Sequence, residues 1–262
     1  MKFRFIPAAV LSVVALALTG CSASSATDDS LSSVLDSGTL VIGTEGTYRP
    51  FSFHEGGSGK LTGYDVEVAR AVAAELGVEA TFEETQWDAI FAGLTAGRWD
   101  TIANQVAITP ERLETYEFST PYTYSTGVIV VPADNTSITS FASLAGLTTA
   151  QSLTSNWYKM ATESGANVEA VEGWAQSVTL VEQGRVDATV NDKLTFLDYQ
   201  KTNDATNLKI AAETEERSET AFAFAKDGTA LAEAVSEALS TLSSDGTLAE
   251  LSDKYFGDDV SQ

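Results

Sequence analysis

The chain has 262 residues, which is enough for one large domain or two small ones. It carries 15 basic and 37 acidic side chains, so its formal net charge at pH 7 is −22. Such a charge argues against a nucleic-acid partner, because binding nucleic acid requires cations that neutralise phosphates. It also disfavours electrostatic attachment to anionic lipid.

The first twenty residues predict a bacterial signal peptide. Lys2 and Arg4 precede an apolar run over 6–18, which is too short to span a bilayer but suits a signal sequence. Without those two cations the mature chain has a formal charge of 13 − 37 = −24. We therefore expect an extracytoplasmic protein.

The apolar run ends in LTGC at 18–21, which resembles the lipobox of bacterial lipoproteins, in which the cysteine is lipidated. Cys21 is the only cysteine in the sequence, so no disulfide within the chain competes for its thiol. We expect a signal peptide over 1–20, a lipid anchor at Cys21 in the cell membrane, and a flexible polar tether over 21–35. The alternative is an ordinary signal peptide followed by an unmodified cysteine.

The first clear helix of the mature chain is predicted over 65–76, and Gly77 is its predicted stop. A strand is predicted next, over 78–84. The apolar residues of the helix recur at the spacing of one helix face; they are Val66, Ala69, Val72, Ala73 and Leu76.

Two segments, 87–105 and 174–192, align without a gap. Each predicts a helix that stops at a glycine, followed by a short buried strand over 99–103 or 186–190. A strand is predicted before each copy, over 78–84 and 167–171, so the repeat predicts two βαβ units and hence two α/β lobes. The matched residues are Trp87 and Trp174, Gly97 and Gly184, Arg98 and Arg185, Asp100 and Asp187, and Asn104 and Asn191. Near the end of the chain, a strand is predicted at 220–227, with helices at 230–246 and 247–257.

The repeat also predicts where a ligand would bind, because ligands of open α/β sheets lie beyond the carboxyl ends of the strands. The first unit places Asn104, Gln105 and Ala107 at that edge. The second unit places Asn191 and Asp192 there. Two lobes that face one another across these edges would enclose a cleft.

The segment ITPER at 108–112 contains an unusual arginine. Thr109 is a predicted helix N-cap and Pro110 the first helical residue, so Arg112 falls in the first turn. A cation there is disfavoured by about 0.3–1 kcal/mol. Arg112 in one lobe and Asp192 in the other would suit a zwitterion, whose carboxylate and ammonium need opposite charges.

Local explanations for these residues remain open. Arg112 could pair with Glu111 or another surface acid, and Asp192 could cap a helix predicted from NDKLTFLDY at 191–199, or do both. Trp87 and Tyr48 could be core residues, and Trp174 is more typical of packing than of ligand contact.

Four motifs occur in order along the chain: GTEGTYRPFSF, GKLTGYDVEVARAVAAELGV, ITPERLETYEFSTPY and DGTLAELSDKYFG. Together they resemble the polar-amino-acid-binding proteins of bacterial ABC importers, and the resemblance extends over about 38–257. It implies an α/β fold of the type II periplasmic-binding-protein kind, with two lobes joined by two crossover strands. Lobe 1 would comprise 36–124 and 219–262, and lobe 2 would comprise 125–218. The lobes would close around one amino acid.

The resemblance implies roles for the residues that contact the α-groups of the ligand. Arg112 would bind the α-carboxylate with help from the backbone around Ala107, and Asp192 would bind the α-ammonium. The loop QSLTSN at 151–156 matches the entry to a helix of lobe 2, where the Thr154 N–H would donate to the same carboxylate. Many relatives have Gly-Thr-Thr at Ser152, Leu153 and Thr154, which leaves backbone donation possible but removes a hydroxyl contact at 153.

The resemblance also implies a side-chain subsite. Tyr48 would lie on the ligand, Glu45 would contact its side chain, Trp87 would form an apolar wall, and Asn104 and Gln105 would line the floor. Five further motifs look most like the cystine-binding branch; they are TQWDAI, ANQVAITPER, AQSLTSNW, VEGWAQ and VNDKL. Cystine is therefore the expected ligand, with histidine, glutamine or another polar amino acid as the alternative.

We expect no enzymatic activity, no cofactor and no metal. His54 is the only histidine, and GGSGK fits neither a P-loop nor a nucleophile elbow. The competing interpretations are a dehydratase on the same fold, which would use Glu45 as general acid, and a sensor module. The resemblance implies membrane permease subunits as partners, and we expect a monomer.

Overall fold

The computed structural model describes residues 1–2 and 28–262, so the predicted signal peptide from residue 3, Cys21 and the tether up to residue 27 lie outside the described residues. The prediction of a tether that continues to residue 35 was wrong, because a helix begins at Ser30 and buries Val34 in the core of lobe 1. The helices are α1 (Ser30–Ser37), α2 (Tyr64–Glu75), α3 (Trp87–Thr95), α4 (Pro110–Thr115), α5 (Asn156–Glu163), α6 (Trp174–Glu182), α7 (Lys193–Asn203), α8 (Thr229–Ser244) and α9 (Thr247–Phe256). The strands are β1 (Thr39–Thr44), β2 (Thr47–Tyr48), β3 (Ser52–His54), β4 (Leu61–Thr62), β5 (Glu79–Glu84), β6 (Thr101–Ile102), β7 (Tyr116–Phe118), β8 (Thr123–Pro132), β9 (Thr148–Gln151), β10 (Asn167–Ala170), β11 (Thr189–Asp192), β12 (Leu208–Thr220) and β13 (Ala223–Ala225). Within 28–262, no helix is long and apolar enough to cross a membrane.

Lobe 1 is built on a five-stranded sheet in the order β5-β1-β6-β13-β7. Strand β1 runs parallel to β5 and β6, whereas β13 runs antiparallel to β6 and β7. Helices α2, α8 and α9 cover one face and α3 the other, with buried aliphatic residues against the sheet on both sides. Strands β2, β3 and β4 form a small separate sheet. The predicted helix at 65–76 is confirmed by α2, and Gly77 follows it at φ +75°.

Lobe 2 has a second sheet, in which β11, β8 and β12 are antiparallel neighbours. Strands β9 and β10 pair in parallel, and a parallel bridge from Thr149 to Ala188 joins β9 to the start of β11. Both faces of β8 are apolar: Val128 and Val130 pack in one cluster with α6, and Ile129 and Val131 pack in another with α5. Helices on both faces therefore bury this sheet.

Strands β8 and β12 connect the two lobes. At one end, Tyr122 donates its N–H to the carbonyl of Thr220 in lobe 1. At the other end, Pro132 pairs with Leu208 in lobe 2. The register between the strands shifts twice, between Ile210 and Ala212 and between Glu213 and Arg217. The predicted lobe boundaries at 124/125 and 218/219 fall inside these two strands.

The repeat has a structural counterpart in each lobe. Strands β5 and β6 flank β1, and β10 and β11 flank β9, with α3 and α6 as the respective crossovers. The matched aspartates make the same bonds: Asp100 Oδ2 accepts from the N–H of Val41 at 2.8 Å, and Asp187 Oδ2 accepts from the N–H of Thr148 at 2.8 Å. The repeat in the sequence therefore corresponds to one supersecondary unit that occurs once in each lobe.

The predicted strand bounds inside the repeat were partly wrong. Strand β6 is only Thr101–Ile102, because the preceding residues still close the turn after Gly97, where Arg98 donates its N–H to the carbonyl of Gly93. Strand β11 is Thr189–Asp192, later than predicted, because its pairing with β8 extends to Asp192.

Candidate functional site

A cavity of about 50 Å³ lies between the two lobes. Lobe 1 contributes Glu45, Tyr48, Trp87, Asn104 and Gln105 to its wall. Lobe 2 contributes Gln151, Ser152, Ser155, Asn156, Trp157, Gly173, Trp174, Ser177, Val190 and Asn191. The wall is mostly polar or aromatic, which suits a small ligand with several hydrogen-bonding groups.

Direct contacts hold the lobes together around this cavity. The Tyr48 hydroxyl donates to Asn191 Oδ1 at 2.9 Å and accepts from Thr195 Oγ1 at 3.0 Å. Arg49 pairs with Asp198 at 3.2 Å. A further ion pair joins Lys159 of α5 to Glu111 of α4. The structure therefore represents a closed arrangement of the lobes.

Arg112 is buried in the first turn of α4, with 8% of its surface exposed. The predicted cap is confirmed, since Thr109 Oγ1 accepts from the N–H of Arg112 at 3.2 Å. The guanidinium donates to the carbonyls of Ala107 at 2.8 Å and Thr154 at 3.4 Å. It lies 5.0 Å from the ring centroid of Phe91 and 5.4 Å from that of Trp87.

No carboxylate of the described chain lies within ion-pair distance of the Arg112 guanidinium. Glu111, the local partner considered from the sequence, pairs with Lys159 instead. Burial lowers the pKa of Arg112 to about 10, because the charged form loses solvation. The site therefore holds a cation for which an incoming carboxylate would be a favourable partner.

Asp192 ends β11 and is the N-cap of α7, as one of the local interpretations held. Its Oδ1 accepts from the hydroxyl of Ser125 and from the N–H of Leu194, both at 2.8 Å. Burial raises the pKa of the Asp192 carboxyl to about 7, although these hydrogen bonds oppose the rise. It lies next to Asn191, which lines the cavity.

The floor in lobe 1 is organised around Asn104. Its Oδ1 accepts from the N–H of Glu45 at 2.9 Å, and its Nδ2 donates to Glu45 Oε2 at 2.6 Å. Burial raises the pKa of Glu45 to about 7, with a smaller contribution from the charge of Asp88. A Cβ built on Gly173 would lie 3.5 Å from Glu45 Oε1, so this carboxyl reaches the opposite lobe.

Gln105 is held in place by Asp65, whose only predicted role was as the first residue of the helix over 65–76. The backbone N–H of Gln105 donates to Asp65 Oδ2 at 2.5 Å, and its Nε2 donates to Oδ1 at 3.1 Å. Gln105 has φ +51°, an uncommon conformation for a residue with a side chain. Burial raises the pKa of Asp65 to about 6.

The loop between β9 and α5 contacts lobe 1. Asp88 Oδ1 accepts from the N–H of Thr154 at 3.0 Å and from its hydroxyl at 2.7 Å. This N–H is the one that the family resemblance assigns to the ligand α-carboxylate. Ser152 Oγ donates to the carbonyl of Glu172 at 3.0 Å, and the Leu153 residue is 49% exposed.

The structure brings six of the predicted site residues to the cavity wall: Glu45, Tyr48, Trp87, Asn104, Gln105 and Ser152. Five others do not line it: Ala107, Arg112, Leu153, Thr154 and Asp192. Among the wall residues absent from the predicted set, Asn191 and Trp174 were available from the repeat, because they match Asn104 and Trp87. Trp174 packs against Tyr199, with 5.7 Å between the two ring centroids, and it also lines the cavity. Gln151, Asn156 and Trp157 lie in the AQSLTSNW motif noted in the sequence, although no ligand contact was assigned to them, and Ser177 carried no signal.

Comparison with known families and curated proteins gives consistent matches. A model of the bacterial extracellular solute-binding proteins, family 3, matches residues 40–258. The L-cystine-binding protein TcyA of Bacillus subtilis is 49% identical over 259 residues, which cover 97% of this chain and 96% of that protein.

Solved structures show the same fold. The L-cystine solute receptor of Neisseria gonorrhoeae, in its unliganded open conformation, is 46% identical with a TM-score of 0.60 and covers 88% of this chain and 99% of its own. An ancestral arginine-binding protein bound to arginine is 34% identical with a TM-score of 0.78 and covers 84% of this chain and 99% of its own. The less identical protein superposes better, and the contacts that join the lobes here explain why an open relative fits less well.

Proposed function

Because the chain belongs to the bacterial extracellular solute-binding proteins of family 3, we propose that it is the substrate-binding subunit of an amino-acid ABC importer and that its ligand is L-cystine. The observation that most directly supports an amino-acid-binding site is that Arg112 is buried and has no carboxylate partner in the described chain. The choice of cystine is supported by the similarity to TcyA and to the Neisseria receptor.

Binding would proceed by closure of the lobes around a zwitterion. The α-carboxylate would pair with the Arg112 guanidinium, in a charge-assisted bond about twice as strong as a neutral one. The α-ammonium would pair with Asp192 from the other lobe. Since each lobe holds only part of these contacts, a ligand that joins them shifts the population toward the closed state.

The protein would deliver its ligand to permease subunits in the membrane and would remain at the membrane through a lipid on Cys21. This anchor explains how a chain of charge −24 stays near an anionic bilayer that its surface charge disfavours. Replacing Cys21 with alanine should release the protein into the soluble extracytoplasmic fraction. Retention of this variant at the membrane would refute the anchor.

Isothermal titration calorimetry with cystine, histidine, glutamine, arginine and glutamate tests the ligand. We expect micromolar or tighter binding of cystine, equivalent to about −8 kcal/mol or better. Such binding to another amino acid but not to cystine would refute the proposed ligand. Identification of the amino acid that co-purifies with the protein gives an independent answer.

We propose that the protein does not catalyse a reaction. The elevated pKa of Glu45 is the feature that a general acid would have, so the test uses this residue. No turnover of bound ligand is expected in the wild type or in Glu45→Gln. Product formation by the wild type that is lost in Glu45→Gln would establish the dehydratase alternative.

A further inference from the structure

We propose that Gln151 is a specificity-determining residue, which donates a hydrogen bond to an acceptor on the side-chain half of the ligand, namely a second carboxylate. The inference rests on the proposed function, because it takes the α-groups of the ligand to be bound by Arg112 and Asp192. The ligand class that follows is an amino acid whose side chain carries a hydrogen-bond acceptor, and in the proposed ligand L-cystine that acceptor is the second carboxylate.

The side-chain amide of Gln151 is buried but only half satisfied. Gln151 is the last residue of β9, lines the cavity and is 2% exposed. Its Oε1 accepts from the hydroxyl of Thr149 at 2.9 Å. Its Nε2 is buried without a hydrogen-bond partner in the part of the chain that the structure describes. Buried polar groups are nearly always satisfied in native proteins, so an orphan donor on a cavity wall indicates a ligand acceptor.

Within the described residues, three other buried side-chain donors also lack a hydrogen-bond partner: Trp87 Nε1, Trp99 Nε1 and the Tyr122 hydroxyl. Trp99 and Tyr122 belong to the core of lobe 1 and do not line the cavity. Trp87 does line it, but its ring centroid lies 5.4 Å from the Arg112 guanidinium, which places the indole beside the group that would receive the α-carboxylate.

Gln151 is separate from both groups assigned to the α-groups of the ligand. The polar contacts of the Arg112 guanidinium are the carbonyls of Ala107 and Thr154. Asp192 is bonded to Ser125 and Leu194. The Gln151 side chain has no hydrogen bond to either charged group, and we assign its free N–H to the rest of the ligand.

The chemistry of this donor selects among amino acids. An amide N–H can be satisfied by a carboxylate, whereas the side chains of arginine and lysine carry donors and no acceptor. Leaving a buried donor unpaired disfavours such ligands. Glu45, whose Oε2 already accepts from Asn104, would serve the distal ammonium of a ligand that carries both groups.

The test compares L-cystine with the mixed disulfide of L-cysteine and cysteamine, which is cystine without one carboxylate. Calorimetry is carried out on the wild type and on Gln151→Met, which removes the donor and keeps most of the volume. We expect the variant to lose about tenfold or more in affinity for cystine and to bind the mixed disulfide within twofold of wild type. Equal losses for both ligands, or no loss for cystine, would overturn the proposal.

Three further variants separate specificity from structural damage. Gln183→Met makes the same change at an exposed position after α6 and should alter neither affinity. Trp87→Phe, which removes the donor on the α-carboxylate half, should weaken both ligands equally. Gln151→Glu should favour the mixed disulfide over cystine, because it replaces the donor with a carboxylate. A simple packing defect would not reverse the preference.

The wild-type measurement distinguishes this inference from the proposed function. Failure of the wild type to bind cystine overturns the proposed function, and with it the ligand class assigned to Gln151. Tight cystine binding by the wild type with an unchanged Gln151→Met variant overturns only the role of Gln151.

Discussion

Arg112 in lobe 1 and Asp192 in lobe 2 are both buried charged residues at helix N-termini, but the protein surrounds them differently. The carboxylate of Asp192 is suited to its place, because the helix dipole favours it and both Ser125 and Leu194 donate to it. The guanidinium of Arg112 has two carbonyl acceptors and no acidic partner within the described residues. The dipole of α4 also disfavours it.

Under the proposed function, this difference separates a residue that serves the fold from one that serves ligand binding. Asp192 contributes to the folded structure before any ligand arrives, since it caps α7. Arg112 is a buried cation without an acidic partner in the described residues, and the proposed binding of a ligand carboxylate would account for its position. Substitutions should therefore separate stability from affinity at the two positions.

The largest effect is expected for Arg112→Ala. Affinity for the ligand should fall by at least about thirtyfold, or about 2 kcal/mol, because the ligand carboxylate loses its charge-assisted bonds in a buried site. The free energy of unfolding should stay the same or rise. Calorimetry and urea denaturation measure the two quantities, and Arg185→Ala, at an exposed arginine of lobe 2, is the control. Binding within twofold of wild type would remove Arg112 from the site.

Two variants at Asp192 test its double role. Asp192→Asn keeps a good cap but removes the charge, so stability should change little while affinity falls by about tenfold. Asp192→Ala should lose affinity and also about 1 kcal/mol of unfolding free energy, because the cap is gone. Equal stability losses in the two variants would contradict a capping role that is independent of charge.

The pH dependence follows from the buried carboxyls of Asp192 and Glu45, with pKa values near 7, and of Asp65, near 6. Each pKa is higher than the usual value of 3.8 for aspartate or 4.5 for glutamate. Such a group contributes stability that is fully present below its usual pKa and is lost as pH rises through its folded pKa. The free energy of unfolding without ligand should therefore fall between about pH 5 and about pH 7.5.

A ligand ammonium should oppose this loss, because it stabilises the ionised form of Asp192. Affinity measured by calorimetry should rise severalfold over the same pH interval, and Asp192→Asn should reduce the rise. An affinity that is constant with pH in the wild type would show that Asp192 is not the ammonium partner.

The smallest effect is expected for Asp88→Ala. This variant removes the two bonds that Thr154 makes across the cleft, so the ligand-free protein should open more often. Small-angle X-ray scattering should show a larger radius of gyration without ligand and an unchanged one with ligand. Because Asp88 is exposed, affinity should change by less than about fivefold.

The control for this comparison is Glu114→Ala, an exposed acid on the neighbouring α4. It should change neither the radius of gyration nor the affinity. An identical radius for Asp88→Ala and wild type would show that the bonds to Thr154 do not hold the lobes closed.

Much of the fold could be predicted because its signals are local. Helix α2, the cap of α4 by Thr109 and the repeated βαβ unit depend on spacing, capping residues and glycine stops that lie within a few residues of one another. The strand bounds in the repeat were less accurate, since they depend on pairing with β8 and on a turn that continues past Gly97.

The sequence by itself determined most of the helices and strands, the internal repeat and the unusual position of the Arg112 cation in the first turn of a helix. Each of these is a property of residues that are close together in the chain. Only the tertiary structure decided which groups meet across the cleft, as Thr154 and Asp88 do from 66 positions apart and Asn191 and Tyr48 from 143 positions apart. It also decided that Gln151 keeps a buried N–H without a partner, a condition that depends on every atom packed around it. No pattern along the chain predicts an unpaired buried N–H, because the acceptors around a buried donor are set by the folded structure.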